Sequence, residues 1–586
     1  MTQLRAWNQL AIDIAANAKR GPTVSARLYA LTNQALYDAW AAFDAAATGL
    51  RLDLQANGLP PTLRWPAMAT AAAAVLQEVG RSLYGGSAGV LPQALSDRLQ
   101  ALLAQGVSQA ATNPGLAPWL SQAQQLGQQV AQAVLSAAAS DGANQAGNYA
   151  DTTGYQPQPS GFTSSDPSGS FDATWQPLSG QKALTPQWGQ ITPFALLSGD
   201  ALRPEAVLPA RLADGSINPA FQADVDEVLQ MSRQLTAAQK ATVEYWEQGN
   251  GTGYPPGQWL AIGQQLIASR QLNLDQAVKL SFSLSQALGD AAIAAWDSKY
   301  AFNTVRPITA IRQLYWGQTI SDWRNIPILG QEWRPYQRDG ALTPPFPDVP
   351  SGHSTFSAAA SSVLRNLLGS NSYGGSATLA DGQATRSFAG FEQNGFDGLP
   401  GEGPSISLSW SSLSGAAEDA GLSRLLGGIH MREGNAQGLK LGISVGQAVL
   451  NRASGLFGEA PLAVVATQFG SMDADVLTGQ LSAGQSGLQL FGFDGDDLLI
   501  AGGEAGGRLE LFGGLGADTF RIQSGAAALV RDYQAGERLE LSANSALPLQ
   551  IASDASGLFT EVRQGEQLLV SLDGQWRSDQ LGVVLV

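Results

Sequence analysis

The sequence predicts a mainly α-helical body followed by a smaller β-rich domain. Three observations lead there. Apolar residues recur at helical spacing over the first three quarters of the chain, short strand-like runs take over from about residue 488, and 586 residues are more than one hydrophobic core usually serves. The helical domain is read as 1–455, a linker as 456–487 and the β-rich region as 488–586.

Residues 1–140 read as helices, with Leu28, Leu31, Ala35 and Leu36 near helical spacing and Ala-rich stretches after them. Residues 141–220 are rich in Gly, Ser, Pro, Asp and Gln and read as a long irregular excursion over the helical body. Helical patterning returns at 221–250 and is strongest at 275–299, where Leu284, Leu288, Ala292 and Trp296 recur every four residues. A further helix is expected just after Pro350, with Phe356, Ala360, Val363, Leu364 and Leu367 on one side, and a last one over 437–453. Residues 370–412 are Gly/Ser-rich and read as loop. From 488, Leu488-Gln-Leu-Phe-Gly-Phe-Asp-Gly-Asp-Asp is echoed 21 residues later by Leu509-Glu-Leu-Phe-Gly-Gly-Leu-Gly-Ala-Asp, an internal repeat.

The net charge of −16 argues against nucleic acid, which selects a basic face. The chain from Leu456 onward carries 17 Asp and Glu against 6 Arg and no Lys, so this stretch holds about two thirds of the excess and suits cations. There is no cysteine, which excludes disulfides, thiol catalysis and Cys-based zinc sites. No apolar run approaches the ~20 residues of a membrane span. The N-terminus lacks the apolar core and cleavage pattern of a secretory signal, so export would need another signal.

The chemistry-bearing residues are few. The chain has two histidines, His353 and His430. In Pro350-Ser-Gly-His353, Pro350 fixes the approach to a helix, Ser351 can cap it, and Gly352 lets the backbone approach a ligand. The free N–H groups and positive dipole end of such a terminus suit an anion, although an ordinary capped helix fits the same residues. In Ser423-Arg-Leu-Leu-Gly-Gly-Ile-His430, Arg424 and His430 are about 600° apart on one straight helix, so they meet only if the two glycines end it. Lys299 is expected on a last helical turn and Arg306, before Pro307, on an extended segment curling back; a solvated basic helix end is the plainer reading of that pair alone. Lys299, Arg306 and Arg424, with a Ser hydroxyl, backbone N–H and two imidazoles, suit a tetrahedral oxyanion, each charge-assisted hydrogen bond contributing roughly 1.5–3 kcal/mol.

Lys-x6-Arg-Pro, Pro-Ser-Gly-His and Ser-Arg-x5-His, in this order, resemble the three-part signature of vanadium-dependent haloperoxidases and the type-2 phosphatidic-acid-phosphatase superfamily. Leu235-Thr-Ala-Ala-Gln, Tyr245-Trp and Pro255-Pro-Gly-Gln-Trp resemble the preceding helical region of bacterial, soluble members, so the likeness covers roughly 20–455. It implies a helical-bundle catalytic domain that holds vanadate. His430 would bind vanadium. Lys299, Arg306, Ser351, Gly352 and Arg424 would hold the oxygens, His353 would be the acid–base residue, and Lys299 would polarise bound peroxide. The partners implied are hydrogen peroxide, halide and small organic acceptors; the oligomeric state, a homo-oligomer included, stays open. Trp296 and Phe346 match aromatic positions that accompany chloride oxidation in the family, and an aromatic wall gives halide a poorly hydrated seat; Trp296 also simply continues its apolar stripe. Bromide oxidation is expected, with chloride open. The family often has Asp four residues after the metal-binding His. Here that position is Gly434, which leaves Glu433 to orient the imidazole from another angle.

Gly492-Phe-Asp-Gly-Asp-Asp-Leu-Leu-Ile and Gly513-Gly-Leu-Gly-Ala-Asp-Thr-Phe-Arg resemble the calcium nonapeptide of RTX-type exported proteins, with Asp497 and Asp518 at its Asp position. The resemblance implies calcium and secretion through a C-terminal signal; an ordinary Gly/Asp-rich turn fits too. Two other functions stay open: a soluble acid phosphatase in which His430 is phosphorylated and His353 protonates the leaving group, and a non-enzymatic calcium-dependent surface protein.

Overall fold

A computed structural model describes residues 2–233, 235–338, 340–379, 405–460, 465–481, 486–503, 507–526, 528–543 and 547–586. The chain divides into two units: Met1–Val363, Leu379–Ile406 and Ser423–Pro461 form one, and Leu364–Thr378, Ser407–Leu422 and Leu462–Val586 the other.

The first unit is helical. Its early helices are α1 (Thr2–Ala18), α2 (Pro22–Ala41), α3 (Arg64–Ser82), α4 (Gln93–Thr112) and α5 (Ala117–Ala139). After the excursion come α6 (Pro219–Ser232), α7 (Ala237–Glu247), α8 (Tyr254–Ser269), α9 (Leu274–Phe302) and α10 (Pro307–Leu314), a strand pair β1 (Thr319–Ser321) and β2 (Pro327–Leu329), then α11 (Gly352–Leu368), which passes into the second unit at Leu364, and α13 (Arg432–Leu456); α12 (Leu413–Leu426) belongs to the second unit as far as Leu422. Every α2 residue from Thr23 to Ala41 is buried, the mark of a central helix. It packs on α9, where a Cβ at Gly289 would lie 3.3 Å from Ala30 Cβ. Asn273 and Gln276 close a capping box at the start of α9. The helix expected over 437–453 is longer at both ends.

Glycine governs the approach of α13 to α11. Gly434, Gly438, Gly442 and Gly446 recur every four residues of α13, and so line one side. A Cβ at Gly438 would fall 2.7 Å from Ser351 O, at Gly442 2.4 Å from Thr355 O, and at Gly446 2.6 Å from Ser362 Cβ. At Gly438 and Gly442 the two backbones touch along a seam that leaves no room for a Cβ.

Residues 141–220 carry little regular structure, as expected, and are pinned by polar contacts. Asp290 on α9 is fully buried and accepts the N–H groups of Phe194 (2.6 Å), Ala195 (2.6 Å) and Leu196 (3.3 Å). Arg203 forks onto Asp297 at 2.7 and 2.9 Å.

The second unit is a parallel β-solenoid. Strands β5 (Ala466–Phe469), β7 (Gly487–Asp494), β9 (Arg508–Leu515), β11 (Ala528–Val530) and β15 (Gln567–Asp573) neighbour one another in a seven-stranded sheet completed by β13 (Gln550–Ser553) and β14 (Phe559–Gln564). The alternate strands β6 (Val476–Leu481), β8 (Leu498–Gly503), β10 (Thr519–Ile522), β12 (Arg538–Leu541) and β16 (Gly582–Leu585) form a five-stranded sheet. The 21-residue echo is one turn of this coil: Leu488 registers with Leu509 and Phe491 with Phe512, whose rings stack at 4.2 Å. The strands begin at Ala466, within the stretch read as linker. Residues 370–412, read as loop, hold β3 (Ser372–Leu379) and β4 (Ile406–Ser412), which pair; their period-two alternation was masked by Gly and Ser, and the rest of that stretch lies outside the described residues. Among the described residues no helix is long and apolar enough to cross a membrane.

Candidate active site

Asn303 takes the left-handed conformation (φ 50°) that ends α9, and its N–H bonds Lys299 O at 2.8 Å. Lys299 therefore sits on the last turn, and Arg306 (φ −87°, ψ 153°) is extended before Pro307, as expected. Both are fully buried. Lys299 Nζ donates to Pro347 O (3.1 Å), Asp348 O (2.8 Å) and Pro350 O (2.5 Å). Arg306 donates to Phe346 O (2.8 Å) from Nε and to Ile429 O (2.7 Å) from Nη1. The segment 346–350, which delivers Ser351 and His353, is thus gripped by two cations.

Gly427 and Gly428 end α12. Gly428 has φ +68°, and a Cβ there would also press to 2.9 Å from Pro335 Cβ. The N–H groups of Ile429 and His430 turn back to Arg424 O at 3.0 and 3.4 Å. This reversal overcomes the six-residue offset. Arg424 is fully buried and donates to Val243 O (2.8 Å) and Ser423 Oγ (2.8 Å). His430 Nε2 lies 3.4 Å from Arg306 Nη1.

The carboxylate that lies against the His430 imidazole is Asp348, not Glu433. His430 Nδ1 abuts Asp348 Oδ1, both side chains being buried. Glu433 accepts instead from Leu208 N (3.3 Å) and Gln437 Nε2 (3.0 Å). A Cβ at Gly434 would lie 3.3 Å from His430 Nδ1 and 3.4 Å from Asp348 Oδ2, so Asp348 fills the space beside the imidazole that residue 434 leaves open. Thr304 holds the carboxylate's backbone in place, its carbonyl accepting Asp348 N at 3.1 Å and its hydroxyl Val349 N at 2.9 Å. The signal for Asp348 in the sequence is one acidic residue inside the Pro-rich run leading into Pro-Ser-Gly-His.

Ser351 is buried, its N–H donates to Gly434 O (2.7 Å), and its Oγ accepts from Ser354 N (3.3 Å) as a cap for α11. His353 is half-buried with Nε2 3.2 Å from Glu247 O. Trp296 and Phe346 stand together, ring centroids 4.8 Å apart. Trp296 donates to Leu184 O (3.0 Å) in the excursion, and a Cβ at Gly352 would be 3.5 Å from its ring. Lys299 Nζ lies 5.0 Å and Arg306 Cζ 4.9 Å from the Phe346 ring centre.

Burial, then the Arg306 charge, holds the Lys299 ammonium well below its usual range. Burial lowers Arg306 to about 10 and raises Asp348 to about 6. Both imidazoles are pushed well below the ordinary histidine value, by burial first, then by Arg424 and His430 for His353 and by Arg306, Lys299 and Arg424 for His430. Three basic side chains, Lys299, Arg306 and Arg424, are thus buried beside two imidazoles that burial keeps neutral, with the Asp348 carboxylate against Arg306 and His430. The residues fit a small oxyanion of more than one charge: it would relieve the cations, and with a proton on Nδ1 beside Asp348, His430 Nε2 offers a lone pair.

In the second unit Asp497 and Asp518 repeat one arrangement a turn apart. Oδ1 of Asp497 accepts Asp475 N (2.8 Å) and Oδ1 of Asp518 accepts Asp497 N (2.9 Å), while both Oδ2 atoms are buried, that of Asp497 without a hydrogen-bond partner and the Asp518 carboxyl beside Glu537. Cβ atoms at Gly492 and Gly513 would lie 2.1 and 2.2 Å from those Oδ2 atoms, which explains the glycines of the repeat. Among the described residues no group of three or more His, Asp or Glu is placed to hold a metal ion.

The family described as "VCPO second helical-bundle domain" matches residues 279–459, the stretch from Lys299 to His430 and the seam. No curated protein matches the chain. Among solved structures, the chain is similar to a holo-type bacterial vanadium-dependent chloroperoxidase at 20% identity and TM-score 0.60, covering 75% of this chain and 93% of that one. The apo-type chloroperoxidase gives the same identity and TM-score over 75% and 95%. A bacterial vanadium-dependent iodoperoxidase gives 23% identity and TM-score 0.54 over 77% and 96%. The helical unit thus has the fold of the vanadium-dependent haloperoxidases, with a β-solenoid at its C-terminal side in sequence.

Proposed function

We propose that this chain is a vanadium-dependent haloperoxidase that oxidises bromide, with chloride as the second candidate, using hydrogen peroxide. The product is a hypohalous-acid equivalent that halogenates organic acceptors. The observation that carries this reading is His430, with Asp348 on its Nδ1 and Arg306 3.4 Å from its Nε2, inside a buried trio of cations. Lys299, Arg306, Arg424, Ser351 and the Gly352 backbone would hold the oxygens of vanadate, and His430 its metal. Bound there, vanadate would supply Lewis-acid activation of peroxide without a change of redox state. His353 has a carbonyl at Nε2, which keeps that nitrogen protonated and leaves Nδ1 to exchange a proton. Kept neutral by burial and Arg424, it acts first as a base. Trp296 and Phe346 supply an apolar wall for halide.

The test is bromination of a phenol trap with vanadate, peroxide and bromide, with phosphate-ester hydrolysis run alongside. Bromination that requires vanadate supports the proposal. Ester hydrolysis blocked by vanadate reassigns the site to a phosphatase, and loss of both activities leaves a non-enzymatic protein. His430→Ala abolishes vanadate-dependent turnover; unchanged turnover refutes its role as ligand. For the second unit we propose calcium at Asp497 and Asp518, supported by the buried, unpartnered Oδ2 of Asp497 and by the repeat of its arrangement at Asp518, and export through a C-terminal signal as the repeat resemblance implies.

A further inference from the structure

A cavity of about 220 Å³ in the helical unit is lined in part by Asp348. Its walls are apolar: Val207 and Leu208 from the excursion, Phe221, Phe302, Val349 and Met431. Three acidic residues are among those that line it, Asp224, Asp348 and Glu433, of which Asp348 has its carboxylate against His430 and Arg306, and none of the described lining residues is Lys, Arg or His. Backbone groups hold two of them in place: Glu433 N donates to Asp224 Oδ2 (3.2 Å) and Leu208 N to Glu433 Oε1 (3.3 Å). The neighbouring Arg432 is engaged by Glu227. The chamber meets solvent at Pro209, which is exposed, beside half-buried Val207 and Ala210. A dry cavity of about 150 Å³ holds one benzene molecule, so this one admits a ring with a short side chain. Acidic groups of one sign in a low-dielectric chamber favour a cation, and apolar walls favour one with an organic body.

We infer that this cavity is a binding site for a small organic ammonium ion, its ring or chain against Phe221 and Phe302 and its charged head toward Asp224 and Glu433. The inference does not depend on the haloperoxidase reading, and its test uses no vanadate, peroxide or halide. Full-length protein is titrated calorimetrically with phenethylammonium and, separately, with the neutral, similarly sized 2-phenylethanol. Expected is saturable binding of the ammonium, at least about tenfold tighter than the alcohol. Asp224→Asn/Glu433→Gln brings the ammonium down to the alcohol's level. Val207→Trp, which narrows the mouth and keeps every carboxylate, abolishes binding of both. Equal affinity for the two probes, unchanged ammonium binding in the double variant, or no saturable binding, as from a chamber that holds only water, overturns the proposal.

Discussion

Asp348 meets His430 from the segment before Pro350, in space Gly434 leaves open. A carboxylate beside a ligand imidazole sets its tautomer and orientation, and its loss typically costs 10–100-fold in metal affinity or activity. Asp348→Ala is therefore expected to lower vanadate-dependent bromination by about 10–100-fold. Adding Gly434→Asp to that variant should recover a measurable part, because its carboxylate enters beside the same Nδ1. Steady-state kinetics of the single and double variants decide it; a double variant no better than Asp348→Ala shows the two positions are not exchangeable. Lys299, Arg306, Arg424 and both histidines were legible in the sequence because rare residue types carried them in spaced motifs. Asp348 was not, since its partner is 82 positions away and nothing local marks the pairing.

At the scale of elements, the α11–α13 seam fixes the spacing of Ser351 and Gly434, beside the proposed anion pocket. Gly442→Ala should gain about 1 kcal/mol in helix propensity, yet its Cβ would lie 2.4 Å from Thr355 O. Overpacking of this kind costs about 1–3 kcal/mol, so the net effect is a loss. On the same helix Gly455 has nothing within 4 Å, and Gly455→Ala should stabilise by up to about 1 kcal/mol. Denaturant unfolding of the two variants checks the opposite signs. The sequence showed that α11 and α13 exist, through apolar spacing, and it showed the solenoid through the 21-residue echo. It hid the seam because glycine reads locally as a turn signal, and whether one faces a second backbone is a tertiary fact.

For the whole molecule, the acidic balance has a consequence for stability. Burial raises Asp497 and Asp532 to about 7 and Asp518 to about 6. Unfolded, these groups titrate near 3.9. Between about pH 4 and 7 the folded solenoid therefore holds more protons than the unfolded chain, so its stability falls as pH rises through that window. In chelator the unfolding midpoint should be higher at pH 5 than at pH 7.5. Calcium should recover the difference at pH 7.5 in the wild type and not in Asp497→Asn/Asp518→Asn; a midpoint insensitive to both pH and calcium refutes both expectations. The helical unit has its own all-backbone device. Where two main chains touch, there are no rotamers to absorb an added methyl group, so the separation of Ser351 from Gly434, and through Asp348 from His430, works as a ruler cut in van der Waals radii. The proposed activity should thus fall steeply with small changes along that ruler, while the helical unit, though weakened by them, still unfolds cooperatively.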